Sequence, residues 1–261
     1  GSLLGYKKYL PSNQHTPYKL YDALTLKASA KSANAVIVSS KLEYEDAVEF
    51  GIQKNKLHII PMGIDVDEYS NNKSRQSGDK INILFVGRVA RVRRIEILLQ
   101  AAAKLSIPFH VTLVGGEEKT SSLSKSGYLS ELKKLCVSLK INDRVTFVGP
   151  VAQGELFEWY RKGDIFVYPS LYENFGQPIL EAAAAGLPII STPVGVAHEI
   201  ITDNETGFIF SGDEEELARR ITQLTDQSMR KKIGRTARER VSNLFGWKII
   251  IKQYLDLYHS L

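Results

Sequence analysis

The alternation of short apolar runs with helix-like stretches constrains the fold of this chain most. From residue 81 onward, β-branched and aromatic runs are separated by stretches whose apolar residues recur at helical spacing, such as Ile95–Leu105 and Glu155–Arg161. The predicted strands are Ile81–Val86, His110–Val114, Val145–Val148, Ile165–Tyr168, Ile189–Ser191 and Phe208–Phe210. This order predicts an α/β fold, a Rossmann-like doubly wound parallel sheet whose ligands bind outside the carboxyl ends of the strands.

The part of the chain before residue 81 follows a different pattern. A helix is predicted over Leu20–Ala33 and a strand over Ala35–Ser39, and Ser40 with Glu43 forms a capping-box pattern that opens a helix to about Phe50. A further strand is predicted over Leu57–Ile60, and Ser70–Lys80 has the polar composition of a linker.

Charge and composition limit the classes of partner. The net charge is +5 and the pI about 9.1, which is compatible with nucleotide phosphates, an acidic membrane surface or nucleic acid. The basic residues between Arg230 and Arg240 are interpreted as a solvated helix face, with membrane contact as the alternative. They are not interleaved with stacking aromatic residues, which argues against nucleic acid. The single Cys136 excludes an intrachain disulfide and is interpreted as a buried, inert thiol.

Two glutamates bracket the segment that is richest in chemistry. Glu173 starts the run Glu173-Asn174-Phe175-Gly176-Gln177, and Glu181 lies further on in a predicted Ala-rich helix. Carboxylates accept hydrogen bonds from sugar hydroxyls, and the N–H groups of a first helical turn bind phosphate. The layout fits a ligand that carries both hydroxyl and phosphate groups, although an ordinary strand–loop–helix with a solvated Glu173 is the plain alternative.

The run from Glu173 to Glu181, with its Phe-Gly step and its Gly-x-Pro exit at Gly186-Leu187-Pro188, resembles the two-glutamate motif of retaining GT-B glycosyltransferases. The resemblance is to the GT4 family (glycosyl transferases group 1). It implies that Glu173 contacts the donor sugar together with Asn174, Phe175, Gly176 and Gln177. It also implies that Glu181 binds the nucleotide ribose.

A second group of candidate residues follows the first strand of the predicted sheet. Gly87 and Arg88 come directly after Ile81–Val86, and Arg91, Arg93 and Arg94 precede the next helix. Positive side chains at a helix start oppose the macrodipole, so an anion such as a diphosphate is expected there. By resemblance, Gly87, Arg88 and Arg93 bind the donor, and Arg88 and Arg93 act with Glu173 in catalysis. The family usually has Lys-Gly where this chain has Arg93-Arg94.

The resemblance also divides the chain into parts. We expect 1–62 to be a remnant of the N-terminal acceptor domain, 63–80 a hinge or linker, 81–244 the donor-binding domain and 245–261 a C-terminal crossover helix. Residues 1–62 are too few for a complete N-terminal sheet. Either the chain is truncated or a second chain supplies the other half, and the vector-like Gly1-Ser2 favours truncation.

The predicted activity is transfer of a hexosyl unit from a nucleoside diphosphate sugar to the hydroxyl of a sugar or lipid-linked acceptor, with retention. UDP-sugar is the first expectation and GDP-mannose the second, both from the family. No cofactor or metal is expected, because Asp65-Val66-Asp67 lies in the hinge and not beside a sugar site. A nucleotide-sugar-binding module without activity of its own and a nucleotide-sugar epimerase of GT-B fold stay open. Without a signal pattern or an apolar run of ~20 residues, a cytoplasmic location is expected, with peripheral membrane contact if the acceptor is a lipid.

Overall fold

The computed structural model describes residues 25, 27–69, 80–117 and 127–261. Its strands are β1 (Val36–Val38), β2 (Leu57–Ile59), β3 (Ile81–Val86), β4 (Phe109–Val114), β5 (Val145–Gly149), β6 (Ile165–Tyr168), β7 (Ile189–Ser191) and β8 (Gly207–Ile209). Its helices are α1 (Lys27–Ser32), α2 (Lys41–Phe50), α3 (Ile95–Ala103), α4 (Tyr128–Ser138), α5 (Leu156–Lys162), α6 (Gln177–Ala184), α7 (Ala197–Ile200), α8 (Glu214–Gln223), α9 (Gln227–Phe245) and α10 (Trp247–Ser260).

The larger sheet has six parallel strands in the order β5-β4-β3-β6-β7-β8. Residue Val86 of β3 pairs with Val114 of β4, and Ile83 of β3 pairs with Ile165 of β6. Along the chain, the strands are therefore added outward from β3 on one side, through β4 to β5, and outward from β6 on the other side, through β7 to β8. This reversal places a crevice at the carboxyl ends of β3 and β6, where ligands bind in open α/β sheets. The predicted α/β fold with a Rossmann-like parallel sheet is confirmed.

Helices cover this sheet in two groups. One group packs α3 against α4 and α8, and the other packs α6 against α5, α7 and α9. The predicted apolar stripe of α3 is buried, with Ile95, Leu98 and Leu99 fully inaccessible. Cys136 of α4 is buried beside them, and this burial raises the pKa of its thiol to about 11.

The element boundaries differ from the predicted ones by short distances. Helix α3 ends at Ala103 and not at Leu105, because Lys104 N donates to Ala101 O and Leu105 N to Ala102 O, both at 3.1 Å and each only three residues back. Strand β8 lies at Gly207–Ile209, yet Phe210 N still donates to Ser191 O at 3.0 Å, so the ladder continues past its end. Helix α1 lies within the predicted helix Leu20–Ala33, of which residues 20–24 and 26 lie outside the described residues, as does nearly all of the predicted linker Ser70–Lys80.

The segment before the larger sheet forms a small unit of its own. Strands β1 and β2 pair in parallel, and helix α2 packs on both. Their apolar side chains form a cluster separate from the main core, made of Val38, Ala47, Phe50, Ile52 and Leu57. Helix α10 reaches this unit through a third cluster, Ile60, Ile250 and Leu257. The division into acceptor remnant, hinge, donor domain and crossover helix stays a prediction.

The expectation of a solvated basic face on α9 holds in part: Lys231, Lys232 and Arg235 are exposed, whereas the other basic residues between Arg230 and Arg240 are half-buried. Arg230 donates to the carbonyls of Leu224 and Thr225, both at 2.7 Å. Arg238 donates to Ala184 O at 2.7 Å and to Val66 O at 3.0 Å. These two arginines of α9 thus donate to carbonyls at the C-terminal ends of α8 and α6, which those helices leave without partners. Across the described ranges, no helix is both long and apolar enough to span a bilayer.

Candidate functional site

An ion pair occupies the crevice between β3 and β6. Arg93 comes from the short turn Arg91–Arg93 after β3, and Glu173 from the loop after β6. The Arg93 Nη1 atom lies 2.6 Å from Glu173 Oε2, and the two side chains are only 8% and 18% exposed. The fold thus brings together two residues that the sequence predicts for one site.

The surroundings of this pair hold the guanidinium in place. Arg93 Nη1 also donates to Ser170 Oγ at 3.0 Å and to Tyr172 O at 3.1 Å. The Tyr168 ring lies under the guanidinium, 5.4 Å from ring centroid to Cζ, and its hydroxyl donates to Glu173 Oε2 at 2.8 Å. Burial raises the pKa of Tyr168, so this hydroxyl keeps its proton for that bond. Arg93 and Glu173 are therefore oriented before any ligand arrives.

The loop after Glu173 leads directly into α6. Asn174 N donates to Glu173 Oε1 at 3.1 Å. Gly176 is the N-cap of α6 at φ 92°, a left-handed conformation that favours glycine, and Pro178 follows in the first turn. Pro178 has no N–H and Ile179 N donates to Gly176 O at 2.8 Å, so the N–H groups of Gly176 and Gln177 are the ones that could meet an anion at the positive end of the helix.

A neighbouring loop packs closely against the same segment. Val196 N donates to Phe175 O at 2.6 Å, and a Cβ added to Gly195 would lie 2.2 Å from that oxygen. The ring of Phe175 is buried edge-on against Phe245, with centroids 6.5 Å apart. Phe175 is predicted to bind the donor, and this placement leaves its backbone as the part that a ligand could meet.

Glu181 lies one turn into α6 in a buried polar cluster. It is 3% exposed, and Tyr160 Oη donates to its Oε2 atom at 2.7 Å. Burial raises the pKa of Glu181, while hydrogen bonds from Tyr160, Gln177, Gln153 and Tyr69 act in the opposite direction. A carboxylate surrounded by donors in this way is rigid and suited to holding hydroxyl groups.

The arginines that follow β3 have different environments. Gly87 N donates to Val114 O at 2.9 Å, and the charge of Arg88 acts on Tyr168 by lowering its pKa against the larger effect of burial. Arg91 pairs with Glu131 on α4 at 2.5 Å. Arg94 donates to Gly212 O at 2.8 Å. Of these four arginines, Arg88 and Arg93 therefore lie near Tyr168. Arg91 and Arg94 already bond to other protein groups, so no bound anion is needed to compensate their charges.

Arg94 shows how the loop accommodates the loss of the family's glycine. Its backbone is left-handed, at φ 49° and ψ 42°, a conformation that glycine adopts without cost. Arg94 thus adopts the same left-handed backbone conformation that a glycine would permit at this position.

Several residues of the site were missed by sequence reasoning. Tyr168 ends a buried strand and Tyr160 lies on an amphipathic helix, so both are indistinguishable in sequence from ordinary core aromatics. Ser170 was visible only as one residue of a loop after a strand. Within the described ranges, no group of three or more His, Cys, Asp or Glu side chains could hold a metal ion. Asp65 instead accepts a bond from Asp67 N at 3.0 Å within its own turn.

Solved structures show the class to which this fold and crevice belong. The Anabaena protein HepE, in complex with UDP and glucose, superposes with a TM-score of 0.83 at 23% identity, over 92% of this chain and 66% of that one. The sucrose-phosphate synthase of Thermosynechococcus elongatus gives 0.82 at 30% identity, over 98% of this chain and 65% of that one. The class is that of the GT-B glycosyltransferases, whose Rossmann-like domain the six-stranded parallel sheet matches.

The chain belongs to the family Glycosyl transferases group 1, whose profile matches residues 66–240. The D-inositol 3-phosphate glycosyltransferase of Xylanimonas cellulosilytica is 28% identical over 243 residues, which is 87% of this chain and 57% of that protein. An enzyme of the same description from Catenulispora acidiphila is 30% identical over 244 residues, 87% of this chain and 56% of its own length. The chain therefore spans a little over half the length of the curated relatives it matches.

Proposed function

We propose that this chain supplies the donor-binding part of a retaining GT4 hexosyltransferase, which uses UDP-sugar in preference to GDP-mannose. The observation that carries the proposal is the Arg93–Glu173 pair in the crevice between β3 and β6, followed along the chain by the first turn of α6 and the buried carboxylate of Glu181. Cationic, amide and carboxylate groups there match the diphosphate, sugar and ribose of one ligand.

The proposed roles follow from this arrangement. Arg88 and Arg93 would stabilise the diphosphate as the bond from its oxygen to the anomeric carbon breaks, a role that a metal plays in other enzymes. Glu173 and the amides around Gly176 would orient the sugar. Glu181 would bind the ribose hydroxyls. Arg93 would exchange part of its bonding from Glu173 to the diphosphate, which frees Glu173 for the sugar hydroxyls.

UDP is favoured because structures of HepE contain UDP and UDP-glucose. The acceptor would be a sugar or lipid-linked hydroxyl. A binding module without independent activity is the second candidate, because the chain spans a little over half of its relatives' length and a further N-terminal half or a second chain would complete the cleft. Cytoplasmic location and membrane contact stay predictions.

Titration with UDP, GDP, ADP and their common sugars tests the proposal. Since a ligand that binds only the folded state raises its apparent stability by mass action, we expect UDP and UDP-sugars to raise Tm most. A shift with GDP-mannose alone would change the donor class, and no shift with any nucleotide would contradict a working donor site. Assays for transfer and for slow donor hydrolysis then separate an enzyme from a binding module.

The variant Glu181→Ala tests the proposed hydrogen bonds from the ribose hydroxyls to Glu181. A hydrogen bond to a charged group contributes roughly 1.5–3 kcal/mol, so UDP and GDP should bind at least about tenfold more weakly. Unchanged affinities measured by calorimetry would remove Glu181 from the site. The control is Glu131→Ala, since Glu131 pairs with Arg91 on the surface, away from Tyr168.

A further inference from the structure

Helix α2 of the small N-terminal unit touches the loop that carries Glu173. Ser40, the N-cap of α2, is 1% exposed, and its hydroxyl donates to Asn174 O at 2.9 Å. Next to it, Lys41 N donates to Glu199 Oε1 at 2.9 Å. A carboxylate at the N-terminus of a helix is favoured by the helix dipole, so the Glu199 contact adds to the Ser40 hydrogen bond in stabilising the approach of the two units.

The Ser40 hydroxyl accepts one hydrogen bond and donates another, and the two go to different parts of the structure. Its oxygen accepts from Glu43 N at 3.2 Å, which caps α2, and its single proton goes to Asn174 O. The Asn174–Phe175 peptide is trans and planar, so a bond to its carbonyl also fixes the direction of the Phe175 N–H. The next carbonyl, Phe175 O, is held by Val196. Two consecutive peptide groups beside Glu173 are thus fixed from outside the loop.

We propose that Ser40 is a positioning residue for the sugar moiety of the donor, acting through the Asn174 carbonyl on Glu173 and on the amides that follow it. The inference rests on the proposed function. It makes the sugar part of the site depend on the unit that contains β1 and α2, while the nucleotide part, around Glu181, depends on the larger sheet and on Tyr69, outside that unit. Loss of the Ser40 contact should therefore weaken UDP-glucose binding and leave UDP binding nearly unchanged.

Three substitutions at Ser40 separate this role from helix capping. Ser40→Asp keeps a good N-cap, but an ionised carboxylate has no proton to donate to Asn174 O. Ser40→Thr keeps both functions of the hydroxyl. Ser40→Ala removes both and serves where the charge of aspartate disturbs folding. The matched control is Ser39→Ala, because the Ser39 hydroxyl bonds to Glu43 Oε2 at 2.6 Å on the same turn.

Calorimetric titration of each variant with UDP and with UDP-glucose gives the readout. We expect Ser40→Asp and Ser40→Ala to weaken UDP-glucose by about three- to tenfold, the effect of one hydrogen bond, with UDP within about twofold of the parent. Ser40→Thr and Ser39→Ala should retain the parent's ratio of the two affinities. A structural role alone would move both ligands together.

The outcomes distinguish the inference from the function on which it rests. If the parent binds UDP and UDP-glucose and the Ser40→Asp and Ser40→Ala variants keep its affinity ratio, Ser40 has no role in positioning the sugar. An equal loss in Ser39→Ala would have the same meaning. If the parent binds no nucleotide, the donor site itself is refuted and the inference falls with it.

Discussion

At the scale of single residues, the Arg93–Glu173 pair decides what the crevice can do. A buried pair is weak support for stability while it is intact, but removal of one partner leaves the other charge in a site with little solvent. Arg93→Ala should therefore destabilise the protein by about 3 kcal/mol, since it removes the ion pair together with the bonds to Ser170 and Tyr172. Urea denaturation measures this free energy of unfolding.

The control for this prediction neutralises the charge that remains. Arg93→Ala combined with Glu173→Gln should recover part of the lost stability, because an amide side chain can stay in the crevice without a counter-charge. If the double variant is less stable than Arg93→Ala alone, the cost does not come from an unpaired carboxylate.

Glu181 predicts a dependence of stability on pH. Burial raises its pKa in the folded protein above the ordinary value of about 4.3. The folded state then binds a proton more readily than the unfolded state, so the contribution of Glu181 to stability is full at low pH and is lost as pH rises through the folded pKa. Glu181→Gln does not titrate. Its Tm relative to that of the parent should rise with pH above about 4.3 and then level off, and a constant difference would contradict this.

At the scale of elements, Arg238 joins α9 to two other parts of the fold. Its guanidinium holds the last turn of α6 through Ala184 and the segment before the linker through Val66. Arg238→Ala should cost about 1.5–3 kcal/mol, the value of hydrogen bonds to a charged group. Arg235→Ala, on the exposed side of the same helix, should stay within about 0.5 kcal/mol. Chemical denaturation of the two variants side by side checks the difference, and equal effects would contradict the assigned contacts.

Elements could be predicted from the sequence where the signal is local. Strands β3, β6 and β7 lie where alternation and β-branched residues predict them, and the cap at Ser40 forms as its pattern predicts. The end of α3 differs because closing hydrogen bonds, which carry no side-chain signal, decide where the helix ends.

The candidate site could be predicted in its residue types but not in its pairing. Glu173, Glu181 and Arg93 stand in a recognisable pattern, yet the contact between Arg93 and Glu173 arises from the neighbouring positions of β3 and β6 in the sheet. Burial of Tyr160 and Tyr168 beside the two carboxylates is likewise a property of the packed molecule.

At the scale of the whole molecule, the separation of the small cluster under α2 from the core of the larger sheet predicts unfolding in two steps. The cluster under α2 is small, whereas the core of the larger sheet is extensive. The two tryptophans lie in different places, Trp159 against the main core and Trp247 on α10, where a Cβ added to Gly63 would lie 2.5 Å from its ring. Helix α10 packs on the small unit through Ile250 and Leu257, so in urea Trp247 fluorescence should change at a lower concentration than Trp159 fluorescence.

Single-tryptophan variants make this measurement. Trp159→Phe leaves Trp247 as the reporter of the contact between α10 and the hinge segment, and Trp247→Phe leaves Trp159 as the reporter of the sheet. Coincident transitions in the two variants would show one cooperative unit instead of two.

The burial of Cys136 has a practical consequence for watching the two units move. Thiol reagents attack the thiolate, and a buried thiol whose pKa is raised to about 11 is protonated at neutral pH. The single thiol of the native chain should therefore not react with maleimide dyes. Cysteines introduced at the exposed positions Glu45 on α2 and His198 on α7 would be labelled selectively. Energy transfer between two such dyes would report directly whether UDP-glucose draws the small unit and the larger sheet together.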